Sequence, residues 1–212
     1  VSQRSPEAVS PEALIEDLVP AEESVVRAAY RLIASKGIER TTLQDIADAA
    51  GVSKALAVYY FKTKENILLA AIRWVLGRVA ERMTGVVGSV EAPEDKVHAM
   101  VDAIFVDPRR NRDFYLAYTA LIGEAARNER FNELNVTFRS IMNAAYAELI
   151  RSGEGTVFTV DSVEEAAMGV RAIIDGFFLQ WLEETDWLEL HGRYKVMCAN
   201  AILRYLGANA PR

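Results

Sequence analysis

Residues 41–61 read TTLQDIADAAGVSKALAVYYF, and this run constrains the fold more tightly than any other part of the 212-residue chain. Leu43, Ile46, Ala47 and Ala50 fall at the i, i+3, i+4, i+7 spacing of a single apolar helical face. Gly51 interrupts that pattern, and Ser53 is a good N-cap for a second short helix ending in Tyr59, Tyr60 and Phe61. Helix, glycine turn and capped helix is the pattern of a helix-turn-helix, whose second helix enters the major groove of DNA.

The surrounding sequence predicts helices almost throughout. One runs from about Ala21 to Ser35, with Val26, Ala29, Tyr30 and Ile33 on one face, and stops at Gly37. Thr41 or Thr42 caps the helix carrying Leu43 to Ala50, and Thr63 caps a long helix beginning at Lys64. That helix bears the stripe Ile67, Leu68, Ala71, Trp74, Val75 and Val79, and should last until the Gly85–Gly88 region. Pro93 suits the first turn of the next, over about Glu94 to Val106. Further helical patterns cover roughly 113–128, 131–151, 163–184 and 187–206. The segment SGEGTVFTV at 152–160 reads as a loop with a short extended stretch, too isolated to make a sheet. The fold class is all-α with about nine helices. Residues 1–20 hold three of the six prolines and read as a mobile extension, with one helical turn around Ala13 to Leu18.

Charge tests the DNA reading, because a net −6 is the wrong sign for a polyanion ligand. The acidity is uneven: residues 1–20 carry −3, residues 21–70 carry +1, and the remainder −4. The segment with the helix-turn-helix is therefore the least acidic, and phosphate binding has to rest on a local patch. The extension contains only Arg4 as a cation, which argues against a minor-groove arm. No apolar run reaches the roughly 18 residues that span a bilayer, so no membrane partner is expected, and the N-terminus has no secretory pattern. The expectation is a cytoplasmic protein. The single cysteine, Cys198, fits a core or interface position. His98 and His191 lack metal-ligand spacing, and neither a Gly-rich phosphate loop nor a GxSxG is present. These observations predict no metal, no cofactor and no catalytic residue.

AAYRLIASKG, TTLQDIADAAGVSK and YYFKTKENILLAAI, with the spacing between them, resemble the N-terminal DNA-binding domain of the TetR family of bacterial transcriptional regulators over Ser24 to Ile72. IIDGFFLQWL at 173–182 is similar to the penultimate helix of the branch containing the choline-responsive betaine-synthesis repressor. The resemblance implies a three-helix DNA-binding domain at 21–68 and a helical ligand-binding and dimerisation domain at 69–212. It implies a homodimer on double-stranded operator DNA, released by a small-molecule effector that the sequence does not identify. The recognition helix would be Lys54 to Tyr60. Ser53 and Lys54 would meet phosphate or a guanine edge, Ala55 would allow close approach, and Val58 would pack on a thymine methyl. Tyr59 and Tyr60 would anchor phosphates, with Thr42 and Lys64 gripping others at helix N-termini. The family often has Gly, Thr and Tyr where this chain has Ala55, Leu56 and Val58, so base readout here leans on Lys54, apolar contacts and DNA shape.

By the same resemblance, Trp74, Met100, Phe105, Tyr115, Tyr118, Phe138, Met142, Phe177 and Trp181 are candidates to line an effector site, although a plain core uses the same residues. Asp175 either meets a cationic ligand or pairs with Arg171 one turn earlier. Phe178, Leu182, Ile202 and Leu206 are candidates for the dimer seam. Two rival readings remain open: a ligand-independent activator, and an all-α interaction module that retains the helix-turn-helix fold without using it.

Overall fold

The structure, a computed structural model, describes residues 10–14, 17–87 and 90–208. Among them are nine α-helices: α1 (Pro20–Arg40), α2 (Leu43–Ala50), α3 (Lys54–Phe61), α4 (Lys64–Val87), α5 (Pro93–Ile104), α6 (Pro108–Ala125), α7 (Glu129–Arg151), α8 (Val163–Glu183) and α9 (Trp187–Tyr205). The all-α expectation holds. The 152–160 segment contributes one isolated bridge, between Glu154 and Phe158. The helical turn expected at Ala13–Leu18 instead covers Pro11–Leu14, where Leu14 is buried, so this part of the extension is packed; residues 1–9 lie outside the described residues.

Two glycines shape the first three helices. Gly37 has φ 83° and ψ 168°, a conformation close to glycine-only, and the regular part of α1 ends there before a last turn over 38–40. Gly51 ends α2 in the left-handed region at φ 69° and ψ 30°. The Val52 N–H then closes on the Ala47 carbonyl at 3.0 Å, sealing the helix end. Thr42, rather than Thr41, is the N-cap of α2; Thr41 is buried and its hydroxyl donates to the Gly37 carbonyl at 2.7 Å. Val25, Ala29, Ile33, Ile46, Ala47, Ala57, Ile67 and Leu68 are buried in this region, and the Ser24 hydroxyl ties α1 to the Ala50 carbonyl at 3.0 Å.

Packing divides the chain into two compact units, neither continuous in sequence. One holds Glu12–Arg78 and Arg112–Phe138; the other holds Val79–Asn111 and the described part of Arg139–Arg212. Residue 68, the expected boundary, lies inside α4, which goes on burying Leu69, Ala70, Ala71, Ile72 and Leu76 beyond it.

In the second unit α9 packs on both α8 and α5. Phe105 stacks on Phe178 with ring centroids 4.1 Å apart, and Trp181 meets Phe178 at 5.8 Å and His191 at 5.2 Å. The Trp181 indole donates to the Trp187 carbonyl at 2.7 Å. The His191 ring meets Asn111 Oδ1 at 2.9 Å, and burial pushes its pKa below the usual histidine value. Cys198 is buried in α9, where burial pushes its thiol up to about 12.

Candidate nucleic-acid interface

Each helix of the α2–α3 pair is capped at its N-terminus by a side chain that the local sequence supplies. The Thr42 hydroxyl accepts from the Asp45 N–H at 3.1 Å and donates to Asp45 Oδ2 at 2.6 Å, while Asp45 Oδ2 accepts the Thr42 N–H at 2.9 Å. Lys36 reaches the same oxygen at 2.5 Å, linking α1 to the start of α2. The Lys36 ammonium and the Thr42 donors hold the Asp45 carboxyl well below the ordinary carboxylate range. The Ser53 hydroxyl accepts from the Leu56 N–H at 3.1 Å and so caps α3.

These caps orient α3 so that Ala57 is buried and Leu56 and Tyr60 are half-buried, while Lys54, Ala55, Val58 and Tyr59 are exposed side by side. Four of the predicted DNA-contacting residues thus share one solvent face. Tyr59 is 68% exposed, which removes it from the core. Tyr60 meets Tyr59 edge-on at 5.3 Å and is turned partly inward. Lys64 is half-buried, and its ammonium donates to the Thr41 carbonyl at 2.9 Å, leaving two N–H donors for other partners.

Sequence reasoning missed three residues here. Lys62, between α3 and α4, has φ 68° and ψ −46°, and its ammonium donates to the Tyr59 carbonyl at 2.5 Å. Asn66 donates to the Phe61 carbonyl at 2.7 Å, at the last residue of α3. Arg130, in the first turn of α7, grips Glu65 at 2.6 Å and Asn66 at 2.9 Å. It lies 64 residues beyond Asn66, so no local pattern announces the contact.

The proposed effector-lining residues divide between the two units. Tyr115, Tyr118 and Phe138 join Phe114 in an aromatic cluster within the first, all four buried, with Phe114 stacked on Tyr118 at 5.7 Å. Trp74, in the same unit, is half-buried and has Arg27 at 5.4 Å and Arg78 at 5.2 Å over its ring, with Tyr30 at 6.0 Å. Met100, Met142, Phe105 and Trp181 are buried in the second unit, and Phe177 is half-buried edge-on to Tyr194 at 6.3 Å. Asp175 pairs with Arg171 at 3.4 Å, as one of the two sequence alternatives held, and burial raises its pKa against that pairing. Two amide oxygens on α7, Asn135 Oδ1 and Asn143 Oδ1, are buried without a hydrogen-bond partner.

The dimer seam needs correction. Phe178, Ile202 and Leu206 are fully buried within the chain, so they have no surface left to offer; Leu182 is half-buried. The exposed apolar residues of α8 and α9 are Met168 (61% exposed), Leu179, Leu188, Val196 (59%), Met197 and Tyr205.

Comparison with known proteins decides the family. Residues 25–71 match the profile described as bacterial regulatory proteins, tetR family, and residues 93–201 match that of the BetI-type transcriptional repressor, C-terminal. The chain belongs to the TetR family. It is 32% identical over 162 residues to the HTH-type transcriptional regulator BetI of Rhizobium meliloti (strain 1021), covering 74% of this chain and 76% of that protein. The BetI of Agrobacterium fabrum (strain C58) is 31% identical over 159 residues, covering 74% and 75%. Among solved structures, a transcriptional regulator from Saccharomonospora viridis in complex with choline superposes with a TM-score of 0.76 at 24% identity, covering 86% of this chain and 95% of that one. A TetR transcription regulator from Haloarcula marismortui gives a TM-score of 0.71 at 27% identity, covering 85% and 97%. This TetR-family chain is thus a DNA-binding transcriptional regulator with BetI-type repressor relatives. No described helix is long and apolar enough to cross a membrane.

Proposed function

We propose that the protein is a homodimeric repressor that holds a near-palindromic operator with one α3 per half-site and lets go when a small molecule binds its C-terminal part. The observation that carries the reading is the exposed row Lys54, Ala55, Val58 and Tyr59 on a helix capped at Ser53. Lys54 has the reach for a guanine edge or a phosphate, Val58 suits a thymine methyl, and the Tyr59 hydroxyl suits a phosphate. Lys64 adds a phosphate contact with its two remaining donors, and the Thr42 and Ser53 hydroxyls lie at the helix starts beside them.

The two copies pair through α8 and α9, using Met168, Leu179, Val196, Met197 and Tyr205 with the half-buried Leu182. The exposed apolar side chains on these two adjacent helices support this, since exposed apolar surface on a protein marks interaction sites. Release follows if the effector binds more tightly to an arrangement whose reading helices no longer match half-sites about 34–36 Å apart. Choline-class quaternary ammonium compounds are the first effectors to test. The BetI-type match of residues 93–201 and the choline-bound structural relative point to them. The unpartnered Asn143 oxygen is an acceptor suited to an effector that carries a hydroxyl donor.

Selection of bound duplexes from random DNA, followed by gel shift, tests the reading. Lys64→Ala should weaken binding to every sequence and flatten its salt dependence, whereas Lys54→Ala should affect some sequences more than others. If both variants bind the selected duplex like the wild type, the reading face is misassigned. Choline that neither releases the duplex nor raises the melting temperature would exclude that effector class.

A further inference from the structure

The junction between α3 and α4 is strained, and the strain falls on a cation. Lys62 is the only non-glycine residue with positive φ among the described residues. Its φ of 68° and ψ of −46° put it at the centre of a γ-turn, which the Thr63 N–H closes on the Phe61 carbonyl at 2.8 Å. This hand of γ-turn is rare and strained, and it is unfavourable for a residue with a Cβ. Such strain persists where the surroundings hold it, most often at functional sites. Glycine would adopt this turn with little cost, so the lysine side chain has to supply what glycine lacks.

The side chain is placed to do so. The Lys62 ammonium folds back to donate to the Tyr59 carbonyl at 2.5 Å, satisfying one of the open carbonyls at the end of α3. It also lies 5.2 Å from the centre of the Tyr59 ring, whose other neighbour is the edge of Tyr60 at 5.3 Å. Tyr59 is the most exposed aromatic side chain of the reading helix, and a ring that projects into water loses rotamer freedom on binding unless it is already held. Two of the three ammonium donors remain after the bond to the Tyr59 carbonyl. Lys62 and the Tyr59 hydroxyl are thus two phosphate-seeking groups at the same end of α3.

We propose that Lys62 is a positioning residue for DNA binding: it holds the Tyr59 ring in place for a backbone phosphate and adds its own charge to that contact, with the γ-turn strain as the cost. The proposal rests on the assignment of α3 as the reading helix. It accounts for how an apolar recognition helix whose one cation is at its N-terminus gains hold at its C-terminal end.

The test uses the full-length protein and the duplex enriched by the wild type from random DNA. Lys62→Met keeps the Cβ and the strain but removes the ammonium. It should weaken binding on the order of tenfold and reduce the slope of log K against log salt by about 0.9 per half-site, about 2 for a dimer. Lys62→Gly should lose affinity to a similar degree while melting at a higher temperature than the wild type. Tyr59→Phe combined with Lys62→Met should weaken binding by less than the product of the two single effects. An unchanged salt slope in Lys62→Met, or wild-type affinity in Lys62→Gly, would overturn the proposal while leaving α3 as the reading helix. A wild type that enriches no duplex would instead remove the DNA reading itself, and this proposal with it.

Discussion

Replacing Trp181 by phenylalanine separates a core residue from the wall of an effector site. The indole is fully buried, and its N–H donates to the Trp187 carbonyl at 2.7 Å. Phenylalanine deletes that bond, at about 1 kcal/mol. The smaller ring also leaves a void of about 40 Å³, worth roughly 1 kcal/mol at about 24 cal/mol per Å³. Together these predict a loss of about 2–3 kcal/mol. At roughly 2–4 °C per kcal/mol for a chain of this size, the melting temperature should fall by about 4–12 °C. Thermal melts at one fixed protein concentration measure it, since self-association would otherwise shift the midpoint. Fluorescence gives a second reading: of the three tryptophans Trp181 is the fully buried one, so its removal should shift the remaining emission to the red. A variant that melts within about 1 °C of the wild type, with an unshifted spectrum, would refute the packing account and return Trp181 to the effector site.

Gly37→Ala and Gly51→Ala isolate backbone strain, because a Cβ at either position meets nothing within 4 Å. Gly51 sits in the left-handed region, at about 1–2 kcal/mol for alanine, whereas the Gly37 conformation is nearly closed to other residues, so the Gly37 variant should melt lower; the reverse order would contradict the kink in α1. Val196→Asp combined with Met168→Glu puts charge on the exposed α8–α9 face and should leave a folded monomer by light scattering. A dimer that survives both substitutions places the seam elsewhere.

The helix-turn-helix was legible because its determinants are local. Thr42 and Ser53 cap within three residues of themselves, Gly51 ends α2 in place, and the apolar spacing of Leu43 to Ala50 needs no distant partner. Lys62 was not legible, since nothing in FKTK marks a positive φ. The grip of Arg130 on Glu65 and Asn66 joins residues far apart in sequence, and one arginine in a charged helix start stands out from nothing. The dimer seam failed for another reason. In IIDGFFLQWL nearly every position is apolar, so periodicity cannot sort the inward Phe178 from the outward Leu179. Aromatic content does not by itself single out an effector site: Phe105 stacks on Phe178, Trp181 meets Phe178 edge-on, and Trp74 has two arginines over its ring, contacts that a plain core makes as well.

The burial of Cys198 has a practical consequence. With the only thiol of the chain inside α9 and its pKa pushed up to about 12, the thiolate fraction at pH 8 is on the order of 1 in 10,000. The native protein is therefore nearly silent towards thiol reagents, and a cysteine introduced at the surface takes the label alone. Ala49, exposed on α2 and outside the reading face, accepts such a residue. In a symmetric pair, a spin label there yields a single distance between the two DNA-binding heads, measurable free, on operator and with effector. The spacing on which repression would depend then becomes a number obtained in solution without disturbing a single native contact of α9.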